Sequence, residues 1–314
     1  MYLFSNVLGV FVFDEKFKVE DEILFKDLEE YNNKEKFIDK LLNKHKNLKE
    51  PDETAIKNIL NYFKNKEFLG NFYDKNLQLA KLNVKNSVNN DNFIAQSVNF
   101  IGDIDKSINI LVKRLREWYD LYNPEYSRSI QSHELFVQEI LANEKHELLK
   151  KLGIDENGSI GANLSEKDLQ PIKNIAHQIQ DLYNLRKSQL DYISSLMDKS
   201  CPNIKAVCDV MIGSKLIEHA GSLKRLSEMP SSTIQILGAE KALFRHMKTG
   251  AKPPRHGIIV GHPLIAQSAE MMHGKIARAL ADKISIAAKV DFFHGQFIGD
   301  KLRKALEEKF INKN

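Results

Sequence analysis

The sequence predicts a mainly α-helical protein, α+β overall. It comprises a small N-terminal α/β domain, a long antiparallel coiled-coil hairpin and an α-helical C-terminal domain. Three observations predict this. The first residues mix β-branched and aromatic side chains. Two later runs repeat apolar residues at helical spacing. From Cys201 the chain becomes rich in Ala and Gly, with prolines punctuating short helical patterns.

The chain has 314 residues, enough for two or three domains. Hydrophobic residues make up 42% and charged residues 28%, an ordinary balance for a chain that buries a core. Composition shifts place the expected domains at residues 1–95, 96–200 and 201–314.

The opening MYLFSNVLGVFVFDEKF reads as strand, with Val7, Val10 and Val12 set among Phe4, Phe11 and Phe13. It lacks a basic leading region and a small-residue cleavage site, so it is not expected to be a signal peptide. Ile38, Leu41, Leu42, Ile56, Ile59 and Leu60 then recur at helical spacing. No run approaches the roughly 18 apolar residues of a membrane span, and no membrane role is expected.

Ile101, Ile104, Ile108, Leu111, Leu115, Trp118 and Tyr122 alternate steps of three and four, the a/d seam of a coiled coil. The pattern stalls at Asn123-Pro124, because proline disfavours helix at the residue before it. It resumes through Leu135, Ile140 and Leu148. A glycine-bearing loop follows, and Ser165 with Asp168 fits a helix N-terminal cap. Ile172, Ile175, Ile179, Leu182, Ile193 and Leu196 form a second seam, which folds back on the first as a hairpin. Such a hairpin is either a simple arm or a device that pairs two chains. The favoured expectation is a homodimer whose seam comprises Ile104, Ile108, Leu111, Leu115, Ile175, Ile179 and Leu182, since each run alone is short.

Enzyme motifs are missing. The sequence contains no phosphate-binding Gly loop and no nucleophile elbow. His133-Glu134 and His146-Glu147 begin like HExxH, but Val137 and Lys150 occupy the place of the second histidine. Cys201 and Cys208 stand seven apart, which fits buried reduced thiols rather than a zinc framework. No catalytic residue, metal or cofactor is expected.

Charge is unevenly spread. Residues 201–314 hold 18 Lys and Arg against 10 Asp and Glu, whereas residues 1–200 hold 28 against 32. No arginine precedes Arg114. This asymmetry fits either a solvated basic face or a polyanion partner for the C-terminal part.

Residues 238–256, GAEKALFRHMKTGAKPPRH, sharpen the choice. On a helix, Lys241, Arg245 and Lys248 fall within roughly 60° of one another, and Leu243, Phe244 and Met247 occupy another sector expected to face the core. Thr249-Gly250 would end the helix. Lys252 and Arg255 continue the positive surface into a loop stiffened by Pro253 and Pro254. Downstream, Lys275, Arg278 and Lys289 form a second stripe opposite Ile276, Leu280 and Ile284, with Asp282 placed to pair with Arg278. Two stripes and a rigid basic loop point to nucleic acid with salt-dependent affinity. Few aromatics interleave with the cations, which favours a shaped duplex or a protein–RNA composite over stacked single strands.

The run GAEKALFRHMKTGAKPPRHG, preceded by LIEHAGSLKRLSEMPSSTIQIL and followed by GKIARALADKISIAAKVDFFHGQFIG, resembles the Nop domain over roughly residues 203–310. The Trp118-Tyr119 region is similar to that family's coiled-coil arm; residues 1–95 match loosely. The resemblance implies a non-catalytic scaffold of a box C/D RNA-guided 2′-O-methylation particle. It implies fibrillarin as the methyltransferase partner, using S-adenosylmethionine itself. It also implies a small ribosomal-protein-like subunit on a kink-turn of the guide RNA, and self-association through the arm. The resemblance carries RNA contacts onto Lys241, Arg245, Lys248, Lys252, Arg255, Arg278 and Lys289. It carries contact with the small subunit onto Gly238, Ala239 and Glu240, whose helix N-terminal amides would be available to polar or anionic groups. The ending INKN lacks a lysine-rich tail, so the chain looks like an archaeal, cytoplasmic member; a eukaryotic one would be nucleolar. GHPLIAQSAEMMHG departs from the family pattern, so no role for His262 follows from it. The alternatives are a splicing-type relative on a small nuclear RNA without a methyltransferase, an autonomous RNA-modifying enzyme and a purely structural coiled-coil protein.

Overall fold

The computed structural model describes residues 1–45, 47–64 and 66–310; the INKN ending lies outside them. The chain forms two compact units, Met1–Asn89 and Asn90–Asn314. The division falls a few residues before the expected limit at 95, and the limit at 200 does not separate packed bodies: Ile94, Val98, Ile101, Ile193, Leu196 and Met197, at the foot of the arm, share one core with the C-terminal helices.

In the first unit the predicted opening strand is a hairpin. Strands β1 (Tyr2–Ser5), β2 (Gly9–Phe13) and β3 (Val19–Leu24) form an antiparallel sheet in that order, with Leu3 opposite Val12 and Val10 opposite Ile23. The turn is made by Asn6, whose Oδ1 accepts the Leu8 N–H at 2.8 Å, a local bond typical of Asn in turns. The central strand is buried throughout, which explains its unbroken apolar run. Phe11 and Phe13 pack with Ile59 and Phe63 on one face, while Val10 and Val12 pack with Phe25 and Leu41 on the other. Helices α1 (Leu28–Asn32), α2 (Lys34–Lys44), α3 (Glu53–Tyr62) and α4 (Lys66–Asn86) follow. Asp52 caps α3 by accepting the Ala55 N–H at 2.7 Å.

The second unit opens with the arm. Helix α5 (Asn90–Tyr119) runs out, and α6 (Pro124–Ser129), α7 (His133–Ala142) and α8 (Lys145–Lys151) form the tip. Helix α9 (Glu166–Ser200) returns against α5, capped by Ser165 as predicted. The seam closes within the chain, and beyond Ile108 it moves by one residue at two positions. Ile101, Ile104, Ile108, Val112, Leu115 and Tyr119 are buried, while Leu111 is only half-buried and Trp118 is exposed. A strict 3.5-residue seam requires supercoiling, whereas a straight helix keeps 3.6 residues per turn and drifts by about 20° per heptad. Tyr119 and Val112 thereby take the places expected for Trp118 and Leu111. On α9, Ile179 is buried, and Ile175 and Leu182 are half-buried against the same cluster. All seven side chains expected between two chains thus hold the hairpin of one.

The remaining helices are α10 (Pro202–Ala220), α11 (Leu223–Glu228), α12 (Ser231–Ile236), α13 (Glu240–Thr249), α14 (Pro263–Ala266), α15 (Glu270–Phe292) and α16 (Gly299–Phe310). The alanines of α15, among them Ala277, Ala281, Ala287 and Ala288, let α10, α11 and α12 approach it closely. A polar knot ties this core. Asp291 Oδ1 accepts the backbone N–H and the Nδ2 of Asn203, at 3.1 and 2.7 Å, and its Oδ2 accepts the Ile204 N–H at 2.9 Å. Two of these donors are first-turn amides of α10, which no helical carbonyl can satisfy. Asn203 Oδ1 in turn accepts the Ile298 N–H at 2.7 Å, joining the approach to α16. Cys201 and Cys208 are buried free thiols, and burial pushes Cys201 up to about 12, so it stays protonated and unreactive. Among the described residues, no helix is long and apolar enough to cross a membrane.

Candidate nucleic-acid interface

The cationic residues predicted from sequence lie on an excursion from the C-terminal core, residues 239–256. Two backbone bonds close its base: Gly257 N–H to the Gln235 carbonyl and Ile258 N–H to the Leu237 carbonyl, both 2.8 Å. Gln235 Nε2 adds a bond to the Arg255 carbonyl at 2.7 Å. The two segments pass so closely that a Cβ on Gly257 would sit 1.9 Å from the Leu237 oxygen, which is why glycine stands there. Helix α13 ends at Gly250 in the left-handed conformation, φ 69°, as the Thr249-Gly250 pair predicts. His246 Nδ1–H bonds the Ala251 carbonyl, fastening the loop to the helix.

Lys241, Arg245, Lys248, Lys252 and Arg255 are all exposed on this excursion. Arg255 stands 3.6 Å from Glu270; among the described residues the other four make no ion pair. Unpaired surface cations cost little to hold and keep their full charge for a ligand. Arg278 and Lys289 are exposed on α15 while Ile276, Leu280 and Ile284 are buried, as the helical pattern predicts. Asp282 pairs with Lys283 at 3.5 Å and not with Arg278, which leaves the arginine free of an acidic partner among the described residues.

Two expectations fail here. Leu243, Phe244 and Met247 were expected to face the core, yet α13 has no buried residue. Leu243 is half-buried, Phe244 is 59% exposed and Met247 72% exposed. The amphipathic pattern is real, but the base of the excursion holds α13 off the core, and its apolar stripe remains open beside the cations. The second concerns Gly238-Ala239-Glu240. The Gly238 amide is taken by the chain's own Glu240 carboxylate at 2.7 Å. Although burial opposes it, bonding to the Gly238 and Glu240 amides holds that carboxyl below its ordinary range. The Gly238 amide, which precedes the helix, is therefore already committed within the chain.

Sequence reasoning passed over Asn203, Asp209, Gly257 and Asp291. An acid in the last turn of α15, where the helix dipole disfavours it, was the available signal for Asp291.

Fold and surface together define a helical protein that presents a module of exposed cations on a packed core. The family model described as "Nop: snoRNA binding domain, fibrillarin" matches residues 100–312. The chain belongs to the Nop family. It is 40% identical over 266 residues to an uncharacterised NOP5 family protein of Methanocaldococcus jannaschii, covering 80% of this chain and 64% of that protein. It is 35% identical over 252 residues to nucleolar protein 56 of Homo sapiens, covering 73% of this chain and 42% of that protein. The chain thus spans less than two thirds of the length of these relatives. A chain from the crystal structure of a fibrillarin/Nop5p complex aligns over 99% of this chain and 100% of its own, at 22% identity with a TM-score of 0.47.

Proposed function

We propose that this chain is a non-catalytic scaffold of a box C/D RNA-guided 2′-O-methylation particle. Its excursion binds kink-turn guide RNA together with a small RNA-bound protein, and its N-terminal unit holds fibrillarin. The observation that carries the proposal is the set of unpaired cations, Lys241, Arg245, Lys248 and Lys252, beside the uncovered Phe244 and Met247. Phosphates meet the cations, and an apolar protein surface meets the stripe; RNA alone would leave the stripe wet. Membership of a family described by snoRNA binding and fibrillarin supports both partners. The chain uses no cofactor of its own. Fibrillarin spends S-adenosylmethionine to methylate the ribose 2′-hydroxyl, and the scaffold contributes by fixing distance and orientation. A cytoplasmic site in an archaeal source, or a nucleolar one in a eukaryote, accords with the relatives matched.

The test is reconstitution with fibrillarin, the small kink-turn protein and a guide RNA, each omitted in turn. The chain alone is expected to transfer no methyl group, and guided transfer is expected to vanish without it. Full-rate guided methylation in its absence would refute the scaffold role.

Self-association through the arm belongs to the same proposal, but not through the seam, which is used inside the hairpin. The outward Ile110, 71% exposed, with Trp118 and Leu121, is one apolar surface of the arm open to a second copy. Ile110→Asp with Leu121→Asp is expected to convert a dimer to monomer in sedimentation analysis without altering helix content. An unchanged dimer would place the contact elsewhere.

A further inference from the structure

The excursion returns to the core through a 3₁₀ turn, Ile258–Gly261, followed by α14. Between them stands a histidine with both ring nitrogens committed. His262 is buried. Its Nδ1 accepts the Leu264 N–H at 3.2 Å, capping α14. An accepting Nδ1 carries no proton, so Nε2 carries it and donates to the Val207 carbonyl at 3.2 Å. Val207 lies in α10, two residues before Asp209, whose φ of 62° and ψ of 171° break the helix. The break falls inside the turn that the Val207 carbonyl would span to reach the amide four residues on, and a buried carbonyl there needs a donor. His262 supplies it. One neutral imidazole therefore ties the returning end of the excursion to the interrupted helix beneath.

The charged groups facing the ring are Asp209 from α10 and Arg303 and Glu307 from α16. Arg303 lies between the two acids, 3.8 Å from Asp209 and 3.0 Å from Glu307. The 3₁₀ turn (IIVG) and α14 (PLIA) contain no titratable side chain. Burial is the largest influence and keeps the imidazole below its ordinary value, and Arg303 acts the same way. Asp209, the Val207 carbonyl and Glu307 pull upward without cancelling it.

We propose that His262 is a positioning residue and acid-labile anchor for the RNA-facing excursion: protonation of Nδ1 turns the acceptor at Leu264 into a donor, breaks the α14 cap and loosens residues 239–261. The sign follows from a ring that the fold holds neutral. Its contribution is complete above the unfolded value of about 6.5 and is lost as pH falls through the lower folded value. The effect on binding rests on the proposed RNA role; the loosening does not.

Both parts are tested on the full chain. Ring ¹⁵N spectra report the tautomer, and amide exchange, corrected for intrinsic chemistry, reports protection at residues 257–266 from about pH 7.5 to about pH 5. The expected result is an Nε2–H tautomer at the upper pH and protection falling by up to about tenfold per pH unit below about 6.5, levelling off once the folded ring is protonated. His262→Asn places an amide oxygen where Nδ1 stood, keeps an N-cap acceptor and cannot titrate. Its protection is expected to stay flat. An Nδ1–H tautomer, titration without loss of protection, or the same pH-dependent loss in His262→Asn would overturn the anchor. If the variant does not fold, the wild-type tautomer and protection decide the matter. Affinity for a kink-turn RNA–protein complex, measured at both pH values, is expected to fall by about threefold or more in the wild type relative to His262→Asn. Equal pH dependence in both would sever the anchor from binding. A wild type that binds no RNA at either pH would sink the RNA role alone, with the exchange data still judging the anchor.

Discussion

Arg245→Glu combined with Lys248→Glu is expected to lower affinity for a preformed kink-turn RNA–protein complex by on the order of a hundredfold or more at low salt. Both side chains are exposed, neither is held by an acid among the described residues, and they lie one turn apart on a helix with no buried residue. On the proposed RNA role the substitution removes two phosphate contacts and adds two repulsions, and it disturbs no packing. The dependence of log affinity on log salt should become shallower by about 2. Lys167→Glu, an exposed change at the start of α9, serves as the control and should leave both quantities unchanged. Titration by fluorescence anisotropy across a salt series measures them. Wild-type affinity and slope in the double variant would remove the excursion from the RNA surface.

Asp291→Ala is expected to destabilise the second unit by about 3 kcal/mol, because three donors lose a shared buried acceptor. The N–H groups of Asn203 and Ile204 sit at the start of α10 and have no helical alternative. Asn203 Nδ2 loses its partner too, which loosens the side chain that accepts the Ile298 N–H. For a unit of this size the loss corresponds to about 6–12 °C in Tm. Asp291→Asn retains one oxygen and presents a donor to other donors, so it should fall between the two. Thermal unfolding followed by circular dichroism reads the order. An alanine variant as stable as wild type would mean that water satisfies α10 without the carboxylate.

Local pattern was legible in the sequence, and the parts that depend on distant partners were not. The arm, the cap at Ser165, the glycine end of α13 and the cation stripe all follow from spacing within a turn or two. The seam was misplaced at Leu111 and Trp118 because a few heptads do not distinguish a period of 3.5 from one of 3.6; the partner helix decides that. The apolar side of α13 is visible in its sequence, but what covers it is not. An amphipathic helix states that it needs a cover, and the exposure of Phe244 and Met247 in the folded chain shows that its own core is not that cover. The Asn203–Asp291 knot joins residues 88 apart, and no local spacing predicts such a pair.

The uncovered stripe of α13 has a consequence for the order of events in a cell. Phe244 and Met247, left in water, make the solitary chain sticky, and the adjacent charge keeps like molecules apart only while salt is low. Such a molecule profits from meeting its ligand early. On the RNA role proposed above, the chain without its ligand should self-associate increasingly as salt rises, which light scattering across a salt series would read.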